Sequence, residues 1–112
     1  MINVAVVGMG WWGKIIVPQL KKNSKLSVNT VVEVNPSGIA DFAREHDVKV
    51  VSDLNVVLKD PTIDGVVLCT PHTLHTDQIV AAANAGKHVF CEKPLSMTRE
   101  AVLRAVKAIN DN

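Results

Sequence analysis

Apolar residues follow two rhythms along this chain: short unbroken runs alternate with stretches in which they recur every three or four positions. Ile2 to Val7 is such a run, rich in β-branched residues and closed by Gly8, and it reads as a strand covered on both faces. From Trp12 the spacing turns helical, with Ile15, Ile16 and Leu20 on one side. Leu26 to Val34 predicts a second strand. Asn35 then offers an N-cap and Pro36 a first helical residue, for a helix that buries Ile39, Phe42 and Ala43. Lys49 to Val51 is a weaker third strand, after which Ser52 caps a short helix with Leu54, Val57 and Leu58 inward, halted at Asp60-Pro61. Ile63 to Cys69 predicts the fourth strand. A helix from about Thr76 to Ala85 follows, burying Ile79, Ala82 and Ala83 and stopping at Gly86. His88 to Cys91 is a short fifth strand, and a last helix from about Thr98 buries Val102, Ala105, Val106 and Ile109.

Strands that alternate with helices imply a parallel sheet with helices on both faces, a three-layer α/β/α arrangement. Right-handed crossovers leave few topologies, of which the doubly wound order leads. At 112 residues, with no repeat, linker or low-complexity segment, residues 1–112 predict one α/β domain.

Composition narrows the function classes. Twelve basic residues against eleven acidic ones leave a net charge of +1, and they are scattered, so no basic stripe points to nucleic acid. No apolar stretch approaches the ~18 residues that span a bilayer, and the N-terminus runs straight into a strand without signal-peptide features. Two cysteines, Cys69 and Cys91, are too few for a disulfide framework and form no CxxC pair. They read as small buried thiols at strand ends, and the expected compartment is the reducing cytoplasm.

The chemistry begins at Gly8-Met9-Gly10-Trp11-Trp12-Gly13, a GxGxxG segment that follows a predicted strand and opens a predicted helix. Gly8 permits the tight turn, Gly10 lets the backbone approach a pyrophosphate, and Gly13 lets the helix pack closely on the strand. The helix N-terminus offers free N–H groups and a positive dipole end to the anion. Glu33, twenty residues past Gly13 at the end of the second strand, stands where a carboxylate accepts hydrogen bonds from the adenosine ribose hydroxyls. That carboxylate repels a 2′-phosphate, and Asn35, Pro36, Ser37 and Gly38 are uncharged, so NAD is favoured over NADP. Trp12 is expected to pack beneath the helix as core, and Trp11 to border the cofactor or a partner surface. Lys14 reads as a solvated helix lysine.

Two further segments sharpen the assignment. They are Cys69-Thr70-Pro71-His72-Thr73-Leu74-His75, at the end of the fourth strand, and Ala85-Gly86-Lys87-His88-Val89-Phe90-Cys91-Glu92-Lys93-Pro94-Leu95, through the fifth. With the glycine loop they resemble the N-terminal Rossmann-like domain of the Gfo/Idh/MocA family: glucose-fructose oxidoreductase, inositol 2-dehydrogenase and their relatives. The resemblance covers nearly the whole chain, and its Glu-Lys-Pro element is much more specific than the glycine loop.

The resemblance implies that Lys93 lies beside the nicotinamide ribose and the substrate, as the residue at the reacting centre. It places Glu92 at the nicotinamide side and a cis peptide before Pro94. Thr70, Pro71 and His72 would line the cofactor cleft, although many relatives carry Asn where His72 stands. His75 resembles the family's histidine at the head of the next helix. The expected cofactor-binding set is therefore Gly8, Gly10, Trp11, Trp12, Gly13, Glu33, Thr70, Pro71, His72, His75, Glu92 and Lys93. No metal is expected: Pro71 and the turn separate His72 from His75, and no cysteine or carboxylate pair completes a site.

Family members are longer, continuing into a last strand of the sheet and a substrate domain. The resemblance thus implies a truncated chain that binds NAD without efficient turnover, and a homodimer covering the exposed sheet edge or helix faces. The implied activity is hydride transfer between the nicotinamide and a sugar, polyol or related hydroxyl compound. The alternatives are a non-catalytic dinucleotide-binding module, or a remnant acting only by binding or assembly, and, further off, a methyltransferase-type nucleotide domain. Neither membrane nor nucleic acid is an expected partner.

Overall fold

The computed structural model describes residues 1–112. In chain order the elements are β1 (Ile2–Val7), α1 (Trp11–Lys21), β2 (Leu26–Val32), α2 (Ala40–His46), β3 (Lys49–Val51), α3 (Leu54–Leu58), β4 (Gly65–Leu68), α4 (His75–Asn84), β5 (His88–Cys91) and α5 (Arg99–Asp111). Short 3₁₀ turns, Pro36–Ile39 and His72–Leu74, lead into α2 and α4. The five strands form one sheet in the order β3-β2-β1-β4-β5, and every pairing is parallel. The chain winds outward from β1 to β3, then crosses back to place β4 on the other side of β1. That reversal makes β1/β4 the topological switch point.

Period-two alternation sorts the strand side chains onto two faces. Val4 and Val6 of β1 join Val67 of β4 in one cluster, with Met9, Val17 of α1 and Ala43 of α2. Ala5 and Val7 join Val66 and Leu68 in the other, against Val57 of α3, Ile79 and Ala82 of α4, and Ala105 of α5. Each central strand is thus buried on both faces, as its continuous apolar run predicts. One irregularity interrupts the ladder: Val4 pairs with Val28 but Ala5 with Thr30, so Asn29 is an extra residue bulged out of β2.

Several boundaries differ from the sequence-based expectation, each for a local reason. β2 ends at Val32 because the Glu33 side chain turns back onto the Met9 and Asn35 amides, and Val34 is left 86% exposed. The cap of α3 is Asp53, whose carboxylate accepts from the Asn55 amide at 2.9 Å, rather than Ser52. Asn35 precedes the 3₁₀ turn without a side-chain cap bond, its oxygen instead accepting from the Ser37 hydroxyl. α1 buries Gly13 and Val17, with Ile16 and Leu20 flanking them. On α5 the buried residues are Ala105 and Ala108, while Val106 and Ile109 are 44% and 45% exposed. The reason is that α5 packs on α4 with its alanines, which allow close approach, and its bulkier residues face away. Lys87 closes the turn before β4 by donating from Nζ to the Asp60 and Ile63 carbonyls at 2.7 and 2.6 Å.

Packing of α1 on the loop after β1 sets a sharp steric limit. A Cβ at Gly13 would lie 2.1 Å from the Gly8 carbonyl oxygen, whereas one at Gly10 would meet nothing within 4 Å. Gly13→Ala is therefore expected to destabilise the domain by about 3 kcal/mol in chemical denaturation, through overpacking against backbone that cannot yield. Gly10→Ala is expected to change stability by less than about 1 kcal/mol. Equal effects from the two substitutions would contradict this packing.

Candidate dinucleotide cleft

The site lies along the carboxyl edge of the sheet. The ladder continues one residue beyond the strands there: Gly8 N–H donates to the Val32 carbonyl, Glu33 to Val51, Cys69 to Val7 and Glu92 to Leu68, at 2.8–3.1 Å. Four residues far apart in sequence are thus fixed on one edge by backbone bonds alone. The approach of the two central loops is close enough to need glycine. Gly8 has φ +93°, and a Cβ on it would lie 2.9 Å from the Cys69 carbonyl and from Thr70 Cγ2.

The N-terminus of α1 opens onto this edge. Gly10 is its N-cap residue, no side chain caps it, and its first turn holds no acidic residue. Its leading amides and positive dipole end are unopposed, which suits an anion. The absence of any atom within 4 Å of a Gly10 Cβ position leaves the space that close approach of a diphosphate needs.

Glu33 is held from two sides. Its Oε1 accepts from the Met9 amide at 3.2 Å and its Oε2 from the Asn35 amide at 2.9 Å. A carboxylate has about four acceptor positions, so two backbone bonds fix its plane and leave capacity for a pair of hydroxyls. The cleft beside it has a volume of about 650 Å³ and runs from Glu33 past Gly8 and Gly10 to Thr70, Pro71 and His72. The residues present therefore fit a dinucleotide: a cradle for the diphosphate and a fixed carboxylate for the ribose.

An adjoining recess of about 370 Å³ shares Cys69, Thr70 and His72 with the first cleft and adds Trp11, Trp12, His75, Glu92 and Lys93. The fold thus brings the sequence-predicted residues to one continuous groove, with Gly13 beneath it as the packing residue. The Lys93–Pro94 peptide is cis. Two residues sit differently from expectation. Trp12 is half-buried rather than core, and its indole Nε1 is enclosed without a partner, while Trp11 is 78% exposed. His75 is fully buried, with Nδ1 2.9 Å from the Pro94 carbonyl and Nε2 2.9 Å from the Thr70 carbonyl. Both ring nitrogens are taken up by the protein, so His75 borders the recess without offering a free group to a cofactor.

Sequence reasoning missed Ser52, Asp53 and Leu54 on the wall opposite Thr70, and Gln78, whose Oε1 accepts from the Thr70 hydroxyl. The signal for the first three was available: they follow β3 at the same sheet edge as Glu33. Gln78 lies within a helix and carries no such signal.

Cys69 and Cys91 lie at this edge as free thiols. Burial first, and the Glu92 carboxylate second, push both from the ordinary 9.0 up to about 11. Both thiols are therefore protonated and weakly nucleophilic at neutral pH. Iodoacetamide labelling is expected to be slow there and to become half-maximal only near pH 11. A labelling midpoint close to that of a free cysteine would show that neither burial nor Glu92 acts on them.

Comparison with known proteins agrees with this geometry. The profile of the Gfo/Idh/MocA oxidoreductases, described as an oxidoreductase family with an NAD-binding Rossmann fold, matches residues 2–112. An uncharacterised oxidoreductase, YrbE of Bacillus subtilis, is 31% identical over 109 residues, covering 96% of this chain and 32% of its own. Scyllo-inositol dehydrogenase from Lactobacillus casei, crystallised with NAD(H) and scyllo-inositol, superposes with a TM-score of 0.91 at 31% identity, over 99% of this chain and 33% of that one. A 3-ketoreductase from Actinomadura kijaniata in complex with NADP gives 0.91 at 25% identity, over 98% and 34%. The chain thus spans about a third of the length of these relatives. With its glycine loop, fixed acid and Glu-Lys-Pro turn on one sheet edge, this chain belongs to the Gfo/Idh/MocA oxidoreductase family, as an NAD-binding Rossmann domain.

Proposed function

We propose that residues 1–112 form the cofactor-holding part of an oxidoreductase that moves hydride between the nicotinamide of NAD and a hydroxyl-bearing carbon of a sugar or polyol. The observation that carries this reading is the continuity of the groove. An adenosine-side acid, Glu33, and a lysine, Lys93, lie at its two ends with the open glycine turn between them. When bound, the nicotinamide supplies the hydride acceptor or donor. The chain's own residues do the rest: the first-turn amides of α1 hold the diphosphate, Glu33 accepts from the ribose hydroxyls, and Thr70, Pro71 and His72 form the wall. Glu92 supports the nicotinamide end. The Lys93 ammonium orients the ribose and substrate hydroxyls, and its Nζ is the group that holds or passes a proton there. Scyllo-inositol in the Lactobacillus casei relative supports a polyol as the substrate class.

The charge on Glu33 supports NAD over NADP, since a carboxylate beside a 2′-phosphate is a like-charge contact in a partly enclosed cleft. Calorimetric titration is expected to show NADH binding at least about tenfold tighter than NADPH, a difference of about 1.4 kcal/mol. Glu33→Ala is expected to weaken NADH binding and narrow that gap. Binding of neither nucleotide would overturn the reading.

Assembly follows from the apolar surface. Phe90 is 58% exposed on β5, the edge strand, and Leu95, Val106 and Ile109 are 38–45% exposed beside a shallow apolar groove against α5. Exposed edges and contiguous apolar surface favour association, and the occupant we propose is a second copy of the chain. Light scattering is expected to give a dimer mass that Ile109→Lys shifts toward the monomer; a monomer at high concentration would exclude this. No helix is long and apolar enough to cross a membrane. The two free thiols, one ending β5 and one just past β4, support a reducing compartment, the cytoplasm.

A further inference from the structure

His75 is the one histidine with no exposed surface, and its ring stands between two segments that belong to different walls of the groove. Nε2 faces the carbonyl of Thr70, the second residue of the loop after β4, and Nδ1 faces the carbonyl of Pro94, the residue after Lys93, each at 2.9 Å. A carbonyl oxygen only accepts, and a neutral imidazole carries hydrogen on one nitrogen alone. Whichever nitrogen carries it donates to one carbonyl, and the other nitrogen stays in direct contact with the second. The ring therefore bridges the two segments in either tautomer. The neighbouring segment adds a second link in the same direction, since the Thr76 and Ser96 hydroxyls are hydrogen-bonded to one another. Two successive residues at the head of α4 thus grip the turn that carries Lys93 and its following proline.

We propose that His75 is a positioning residue: its ring bridges the Thr70 carbonyl and the Pro94 carbonyl and so fixes where Lys93 stands relative to the cofactor cleft. The inference rests on the dinucleotide reading above and extends it to a residue that touches neither cofactor nor substrate. The ring has no carboxylate partner among its hydrogen bonds. The titratable groups around it are His72, whose ring centroid is 6.0 Å away, and Cys69, Glu92 and Lys93 on the walls of the shared recess. The tie acts on only one end of the groove. Glu33 and the glycine turn are held by their own backbone bonds, so loss of His75 loosens the Lys93 end and leaves the adenosine end in place.

That asymmetry gives the test. The whole chain is titrated calorimetrically with ADP, which reports the adenosine end, and with NADH, which also needs the Lys93 end. His75→Phe keeps a flat ring and removes both nitrogens. The expected result is a loss of about tenfold or more in NADH affinity with ADP affinity held within about twofold. Unchanged NADH affinity, or parallel losses for both ligands, would overturn the proposal, the second because it marks a general packing role. His75→Gln, whose amide donates to one carbonyl at most, is expected to lie between wild type and His75→Phe. A second measurement needs no variant: nitrogen-15 NMR of the wild-type imidazole at the assay pH. A ring N–H that exchanges slowly with solvent supports the tie; rapid exchange refutes it. Because that spectrum requires no nucleotide, it decides the tie even where the chain binds neither ADP nor NADH, the outcome that would instead defeat the dinucleotide reading.

Discussion

Everything at the carboxyl edge depends on how closely α1 lies against the turn that precedes it. The Gly8 carbonyl occupies the place where a side chain at position 13 would begin. That contact draws the helix axis in toward the sheet and aims its N-terminus across the β1/β4 crevice. A larger residue would lift the helix, and the amides of its first turn would no longer face the space beside Gly10. The same crowding recurs one strand over, where a Cβ on Gly8 would run into the Cys69 carbonyl and Thr70. The two loops at the switch point thus meet backbone to backbone, and the cleft opens between them because no side chain fills it.

The second organising element is Glu33, whose role is structural before it is functional. By accepting from the amides of Met9 and Asn35 it ends β2, staples the glycine turn to the neighbouring loop and fixes its own orientation. A carboxylate held in this way has little conformational freedom left to lose on meeting any partner, which is the advantage of preorganisation. The free thiols and the Thr70–Gln78 pair play no comparable part; they sit where strand ends and helix starts converge and are shielded by that convergence.

The parts of this fold legible in the sequence are those governed by local rules. The β1 run, the glycine turn, the acid at the end of β2 and the Glu-Lys-Pro turn all follow from residue type and order, and the sheet order follows from the alternation of strands and helices. What escaped was decided by contacts between distant segments. Val34 continues an apolar run, yet Glu33 turns the chain before it can pair. Ser52 and Asp53 are both credible caps, and only the path out of β3 chooses between them. Val106 and Ile109 carry the helical period of a buried face, but α5 meets α4 through its alanines. His75 was legible as a residue of the groove and not as a bridge, because the second carbonyl it meets lies nineteen positions further on.

The bulge in β2 bears on how such sequences are to be compared. Asn29 adds a residue to β2 without displacing the rest of the strand, since Thr30 to Val32 regain their pairing with Ala5 to Val7. The distance along the chain from the glycine turn to the acid is therefore elastic by one residue at this point and rigid beyond it. A homologue lacking a counterpart of Asn29 would count nineteen residues where this chain counts twenty, yet would present its carboxylate to the same amide. A deletion two positions later would instead turn the acid to the opposite side of the sheet. A gap before Thr30 would thus carry less weight than one after it, and the landmark for this acid is its rung on the ladder beside Gly8, not its count from the glycines.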